Sequence, residues 1–324
     1  MRANNLWNYL NKILVFYLPG KAGYWNSITH CAISEKPIKL GKYYLDFASK
    51  AQYNGKISED NIPLTSYRGQ DFIQHPTIIA QYALGLFELL SKNDFQHQDT
   101  KKRFIELAKW FDKNYKEFPG GKCWVVNVLY PELGINSPWI SAMTQGEIIS
   151  VLVRAASISN DSRLEQLAID ALAPFEFDVK DGGVVNYFKS IPVYEEAPII
   201  NRTTAVLNGF IFSLFGLFDL LLFNNNSRSK RLFNLGVDSL IKLLPYYDIK
   251  YWTRYRLMEY PESYLSSFTY HMLVIEQLKV MYFITGEQIF QEYSDKWYDY
   301  TRSYSNRTRA LFNKLISSNQ ILMG

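Results

Sequence analysis

The residues of this chain best suited to moving a proton are two adjacent glutamates, Glu195 and Glu196, in the run Val193-Tyr-Glu-Glu-Ala-Pro198, with Asn201 and Arg202 close behind. Neighbouring carboxylates on a loop ordinarily form a solvated face. Here the alanine and proline beside them make the surroundings apolar, and a carboxyl held in such a place has a raised pKa suited to general-base work. Tyrosine is the second signal, at 24 of 324 residues. Tyr130, Tyr187, Tyr194, Tyr255, Tyr260, Tyr264 and Tyr270 fall in segments that read as connections rather than helices. Aromatic rings carrying hydroxyls suit a ligand with an apolar ring face and polar edges, as a sugar has. Any one of them also serves simply to fill a gap between helices.

Other chemistries find little support. Cys31 and Cys123 stand at no metal-ligand spacing to the four histidines, so they read as ordinary buried thiols, and neither a metal nor another cofactor is called for. The net charge of +4 is slight and the basic residues are scattered, which gives no stripe for a phosphate backbone; nucleic acid is not an expected partner.

The frame that must position these residues announces itself by repetition. His75-Pro-Thr-Ile-Ile-Ala-Gln-Tyr-Ala-Leu-Gly, Pro138-Trp-Ile-Ser-Ala-Met-Thr-Gln-Gly-Glu-Ile, Thr204-Ala-Val-Leu-Asn-Gly-Phe-Ile-Phe-Ser-Leu and Tyr270-His-Met-Leu-Val-Ile-Glu-Gln-Leu begin about 60 to 70 residues apart. Each opens a stretch with apolar residues at helical spacing, such as Ile148, Val151, Leu152 and Ala155. A second, amphipathic stretch follows each, for example Phe104, Leu107, Trp110 and Phe111. The first helix of a pair is apolar on nearly all sides, as in residues 209 to 223, and belongs inside; the second carries charge on one face and belongs outside. The expectation is a mainly α fold, an incomplete (α/α) toroid of about four helical hairpins. Its inner helices should lie near 76 to 91, 138 to 158, 203 to 223 and 266 to 285. The Gly/Pro-punctuated segments near 118 to 137, 174 to 203 and 245 to 268 all join an outer helix to the next inner one, so they gather at one rim. Small β-hairpins are expected there, such as Asp181-Gly-Gly-Val-Val-Asn-Tyr-Phe. Asn224 to Lys230 reads as a solvated connection with a serine N-cap.

Two regions are expected: a lead-in over residues 1–70 packed on the body, and the toroid over 71–324. The first 18 residues carry an apolar stripe at Leu6, Leu10, Ile13, Leu14 and Tyr17, interrupted by Asn8, Asn11 and Lys12. That pattern predicts an amphipathic helix packed on the body rather than a signal peptide. Phe212 to Phe223 is too short to span a bilayer. The expectation is a cytoplasmic protein without a transmembrane segment, able to sit peripherally on the inner face of the membrane and compatible with a homodimer.

Five motifs in one order give a more specific indication. Pro138-Trp-Ile-Ser-Ala-Met-Thr-Gln-Gly-Glu147, Glu195-Glu-Ala-Pro198, Leu207-Asn-Gly-Phe-Ile-Phe-Ser-Leu-Phe-Gly-Leu-Phe-Asp219, Leu243-Leu-Pro-Tyr-Tyr-Asp248 and Tyr270-His271 resemble the C-terminal helical domain of the D-glucuronyl C5-epimerases, enzymes of heparosan-type polymers. His75-Pro-Thr-Ile-Ile-Ala-Gln-Tyr-Ala-Leu84 is similar to that family as well, and the likeness runs from about residue 40 to 303, with 37 to 70 similar to the short lead-in of bacterial relatives. The resemblance implies inversion at C5 of a uronate. A base removes the C5 proton, the enediolate-like charge is steadied, and an acid returns a proton from the opposite face. It implies Glu196, Tyr255 and Tyr270 as catalytic residues and an anionic uronate-containing polysaccharide as partner.

The candidate substrate contacts are Glu195, Arg202, Arg254, Arg256, His271, Asn208, Gln145, Trp139 and His75. A phenol half ionised at neutral pH needs its pKa lowered by about three units, or about 4 kcal/mol. Arg202, Arg254 and Arg256 are the candidate sources, and an arginine on the uronate carboxylate would also ease loss of the C5 proton. A polyuronate lyase shares the first step and differs in where electrons go next; a non-catalytic glycan-binding relative is the remaining alternative. Two departures stand out. Ala197 occupies the tyrosine position of the family's Glu-Glu-Tyr-Pro, and Met258 stands three places after Tyr255, where the family has arginine.

Overall fold

The computed structural model describes residues 29–66, 71–258 and 264–323. The N-terminal amphipathic stretch and Tyr260 lie outside them. The chain is mainly helical, with small strand pairs between hairpins. Among the described residues four helical pairs follow one another: α1 (Pro76–Lys92) with α2 (Gln98–Lys113), α3 (Ala142–Ser159) with α4 (Ser162–Asp170), α5 (Leu207–Asn224) with α6 (Ser227–Tyr247), and α7 (Phe268–Thr285) with α8 (Gln288–Arg302). A further helix, α9 (Tyr304–Met323), packs on α8.

The first helices of the pairs lie side by side in chain order, α1 on α3, α3 on α5 and α5 on α7. Their residues explain why. In α5 every position from Leu207 to Leu220 is buried, because no face is polar enough to meet water. Each of its fully buried phenylalanines and leucines contributes roughly 1.5–3 kcal/mol. The helix is apolar and long enough to cross a membrane by length and composition, longer than the run 212 to 223, yet most of it is buried between its neighbours. The second helices bury one stripe only, such as Phe104, Leu107, Ala108 and Phe111 in α2. Where α3 meets α5, side chains are nearly absent: a Cβ on Gly216 would strike the backbone of Gly146, and one on Gly146 would come within 2.6 Å of Ser213 Cα. The two helices that carry most of the central residues thus touch backbone to backbone.

Among the described residues the connections hold three antiparallel pairs: β1 (Lys116–Phe118) with β2 (Gly121–Cys123), β3 (Val125–Val126) with β4 (Trp139–Ile140), and β5 (Val185–Phe188) with β6 (Ile191–Tyr194). The last turns at Lys189 and Ser190, both at positive φ, so Asp181-Gly-Gly lies before the hairpin rather than within it. The third connection starts later than its proline suggests, because α6 runs through Pro245 to Tyr247. The α5–α6 connection is capped by asparagines instead of a serine: Asn225 closes α5 in the left-handed region and Asn226 accepts from Ser229 N.

The described part of the lead-in enters the core. Tyr43, Tyr44, Leu45 and Phe47 are buried. Arg154 of α3 and Asp219 of α5 form a fully buried two-pronged ion pair at 2.6 and 3.0 Å. Tyr44 Oη donates to Asp219 Oδ1 at 2.6 Å, and Arg154 donates to the carbonyls of Gly41, Lys42 and Ser150. This clamp fixes residues 41–47 against both helices, and with them the short helical turn Ala48–Gln52 that rests on α1.

Candidate active site

All four inner helices contribute to one cavity of about 310 Å³. His75, Thr77, Ile78 and Gln81 come from α1 and the residue capping it, Met143 and Thr144 from α3, Asn208 and Phe212 from α5, and Thr269, Tyr270 and Leu273 from α7. Lys50, Tyr130, Trp139, Glu196 and Ala197 complete the part that could do chemistry.

Hydrogen bonds tie the segments around the cavity together. Ala142 N donates to Glu195 O at 2.8 Å, Leu207 N to Tyr255 O at 3.2 Å, and Gln277 Nε2 to Asn208 O at 3.0 Å. The loop before α5 is held by Glu195, whose buried carboxylate accepts from the hydroxyls of Thr203 and Thr204 and from the backbone N–H groups of Thr204 and Ala205. Ala205 sits at φ +42, a conformation alanine adopts only when its surroundings insist. Glu195 therefore faces away from the cavity and builds its wall. Burial pushes its carboxyl up to about 7 against the pull of these donors.

Glu196 turns the other way. Its carboxylate lies over Gly209 in the first turn of α5, where a Cβ would run into it, and accepts from Asn208 Nδ2 at 3.3 Å. Burial first, and Glu195 second, push this carboxyl up to about 8, while the Asn208 amide opposes. Tyr270 stands in the first turn of α7, its N–H donating to the capping Ser267 hydroxyl at 3.3 Å. Tyr255 is behind it, ring centroids 4.9 Å apart and edge-on. Tyr264 packs against Tyr255 at 5.8 Å, and the Arg256 guanidinium lies 4.9 Å over the Tyr264 ring.

Of the residues expected from sequence, the structure places Glu196, Tyr270, Trp139, Asn208 and His75 on the cavity. His75 caps α1, and burial pulls its imidazole down to about 4. Trp139 donates from Nε1 to Val128 O at 2.8 Å, which turns its ring to the wall beside Tyr130. Tyr255 is not among the described lining residues, and its ring packs against that of Tyr270. Gln145 and His271 are structural: Gln145 brackets Trp124 through both N and O, and His271 stacks on Trp252 at 3.8 Å with its nitrogens on Thr253 Oγ1 and Trp297 O. Burial pulls the His271 imidazole down to about 3. The arginines are likewise off the lining. Arg254 donates to Tyr246 O at 2.5 Å, Arg202 is exposed, and Arg256 joins the tyrosines, burial holding it below the usual arginine value while Tyr264, Tyr255 and Tyr130 oppose.

Sequence reading passed over two groups. Glu147, the last residue of the motif beginning at Pro138, is fully buried and accepts from Gln81 Nε2 at 3.0 Å. Burial drives its carboxyl well above the usual range, with Glu196 adding and Lys50 opposing. Lys50 is 2 % exposed and lines the cavity. Burial pulls it down to about 8, with Glu147 opposing. The departure at Ala197 has a partner: Ala197 and Met258 share one small apolar cluster with Leu133, Ile135, Tyr130 and Trp139.

Residues 121–299 match the model of the D-glucuronyl C5-epimerase C-terminus family. The chain is 33% identical over 225 residues to a D-glucuronyl C5-epimerase of Caenorhabditis elegans, a match covering 64% of this chain and 36% of that protein. It is 25% identical over 222 residues to an uncharacterised protein of Methanocaldococcus jannaschii, covering 65% of this chain and 71% of the relative. The match thus spans about a third of the nematode protein's length. The chain belongs to the D-glucuronyl C5-epimerase C-terminus family.

Proposed function

We propose that this member of the D-glucuronyl C5-epimerase C-terminus family inverts C5 of a uronate within an anionic polysaccharide, of the D-glucuronate to L-iduronate type. The observation that carries the reading is the meeting of Glu196 and Tyr270, from different hairpins, on one cavity lined by all four inner helices. That lining also supports a four-hairpin incomplete (α/α) toroid, because a cavity shared by the first and last inner helices is what the curvature of such a row provides.

The reaction divides into two proton transfers. One of the pair takes the C5 proton, negative charge passes onto the uronate carboxylate, and the other returns a proton to the opposite face. A positioned acid or base of this kind contributes about 10²–10⁴-fold each. With its carboxyl at about 8, Glu196 is mostly protonated at neutral pH, so the resting site holds one proton to give and needs one base. Tyr270 is the group opposed to it, with Tyr255 and Arg256 packed behind the phenol. Trp139 and Tyr130 offer ring faces to the sugar. An anionic uronate-containing polysaccharide as partner and a cytoplasmic location belong to the proposal.

Incubation with heparosan in deuterated water, read by NMR, tests it. Deuterium at C5 with iduronate is the expected result. A C4–C5 double bond would mean elimination, and an unchanged polymer that still binds would mean a glycan-binding protein.

A further inference from the structure

We infer that a second groove beside the cavity, lined by Trp110, Tyr115, Lys113 and Lys116, binds the stretch of polyuronate chain next to the residue being inverted. The inference rests on the uronate reading of the cavity and adds to it where the neighbouring part of the polymer lies.

The need for such a groove follows from size. The cavity of about 310 Å³ stands at the lower end of the roughly 300–1,000 Å³ usual for small-molecule sites, which is room for a sugar but not for a polymer. A uronate inverted within a chain brings its neighbours with it, and they must lie on the surface outside the cavity. The groove, of about 420 Å³, adjoins it. Two segments of chain are shared between them. His75 and Thr77 line the cavity while Gln74 and Pro76 line the groove; Val128 lines the cavity while Val125 and Asn127 line the groove. One wall, made by the entry to α1 and the segment that opens with β3, thus divides the two, and a chain leaving the cavity over it enters the groove.

The lining suits an acidic sugar. Trp110 and Tyr115 are half-buried and offer aromatic surface to a sugar ring, with Lys113 and Lys116 exposed beside them. No carboxylate stands among the described lining residues, although the chain holds 31 acids against 35 lysines and arginines, so the groove is locally cationic. Nearby cations are neutralised: Lys122 pairs with Asp170 at 3.4 Å and Arg163 with Asp112 at 2.5 Å. Neither Lys113 nor Lys116 has an ion pair among the described residues. The dipole of α2 favours Lys113 in its last turn, but Lys116 lies beyond the helix, in β1. The frame is fixed from beneath. Buried Trp124 donates from Nε1 to Phe111 O at 3.0 Å, Asn114 Nδ2 donates to Trp110 O at 2.8 Å, and the Lys122 ammonium lies 4.4 Å over the Tyr115 ring.

The probes are a heparosan tetrasaccharide and a heparosan decasaccharide. Their affinities are measured by calorimetry in a Glu196→Gln background, so that inversion does not run during the titration. The background protein should bind the decasaccharide more tightly than the tetrasaccharide by about tenfold, a gain that shrinks as salt is raised. Lys113→Gln combined with Lys116→Gln should weaken decasaccharide binding roughly tenfold and so remove most of the gain, with the melting temperature unchanged because both side chains are exposed. Lys102→Gln combined with Lys242→Gln takes the same charge from exposed positions of α2 and α6 outside the lining, and should keep the gain. An undiminished gain in the groove variant, an equal loss in the control, or no gain with length in the background protein overturns the groove and leaves the cavity reading standing. A background protein that binds neither oligosaccharide overturns the uronate reading of the cavity, and the groove with it.

Discussion

Gly209→Ala tests whether the position of Glu196, and not merely its presence, matters. The added methyl would lie 2.5 Å from Glu196 Cβ and 2.8 Å from Cδ, against ordinary carbon contacts of about 3.5–4.0 Å. Both Cβ and the carboxyl carbon are too close, so rotating the tip of the side chain does not relieve the clash, and Glu196 must retreat by about 1 Å. A misplacement of that size costs on the order of 10²-fold in rate. Stability moves less, because alanine gains about 1 kcal/mol of helix propensity over glycine while overpacking costs about 1–3 kcal/mol. The expectation is a 10²-fold loss of kcat for C5 exchange on heparosan with the melting temperature within a few degrees. Gly216→Ala is the matched contrast: it strikes the Gly146 backbone where α3 meets α5 and leaves Glu196 untouched. It should cost stability while the folded fraction keeps its rate. A Gly209→Ala protein of full activity would refute the placement of the reaction at Glu196.

Three further outcomes follow from the same contacts. Arg154→Leu should cost about 3–5 kcal/mol in chemical denaturation, because Asp219 is left as an uncompensated buried charge, and the double change with Asp219→Leu should recover much of it. Glu195 and Glu196 are raised in the folded state to about 7 and about 8 from 4.5, so they favour folding most at acid pH and the benefit is lost as pH rises through 7 to 8; unfolding free energy should fall from pH 5 to pH 8.5, and Glu196→Gln should reduce the fall. Ala197→Tyr restores the phenol of the family motif against Met258 and Trp139, and should raise C5 exchange on heparosan relative to other uronate polymers; an identical substrate profile would remove position 197 from the site.

The repeat was legible because each inner helix is apolar all round and each outer one is striped. The helices α1, α3, α5 and α7 lie within about four residues of where the periodicity puts them. Glu196 and Tyr270 were legible as motif residues. Their neighbours were less so, since which side of a loop a side chain takes depends on contacts distant in sequence. Glu195 and Glu196 are adjacent, and only the donors of Thr203, Thr204 and Ala205 decide that the first turns inward as a brace. His271 follows Tyr270 but meets Trp252, Thr253 and Trp297 instead of the cavity. Lys50 gave no local signal: it lies in the short helical turn Ala48–Gln52 of the lead-in, which is buried against the Pro76–Lys92 helix beside Gly85.

The central claim is that Glu196 and Tyr270 act on opposite faces of one C5. It is tested most directly by giving Glu196→Gln and Tyr270→Phe, each in deuterated water, two polymers: heparosan and its iduronate-containing epimer. Each variant should lose inversion of both polymers yet keep exchange of the C5 proton on one of them, and the polymer that still exchanges should differ between the two variants. Inversion at the unaltered rate in either variant, or the same exchange pattern in both, would contradict the account.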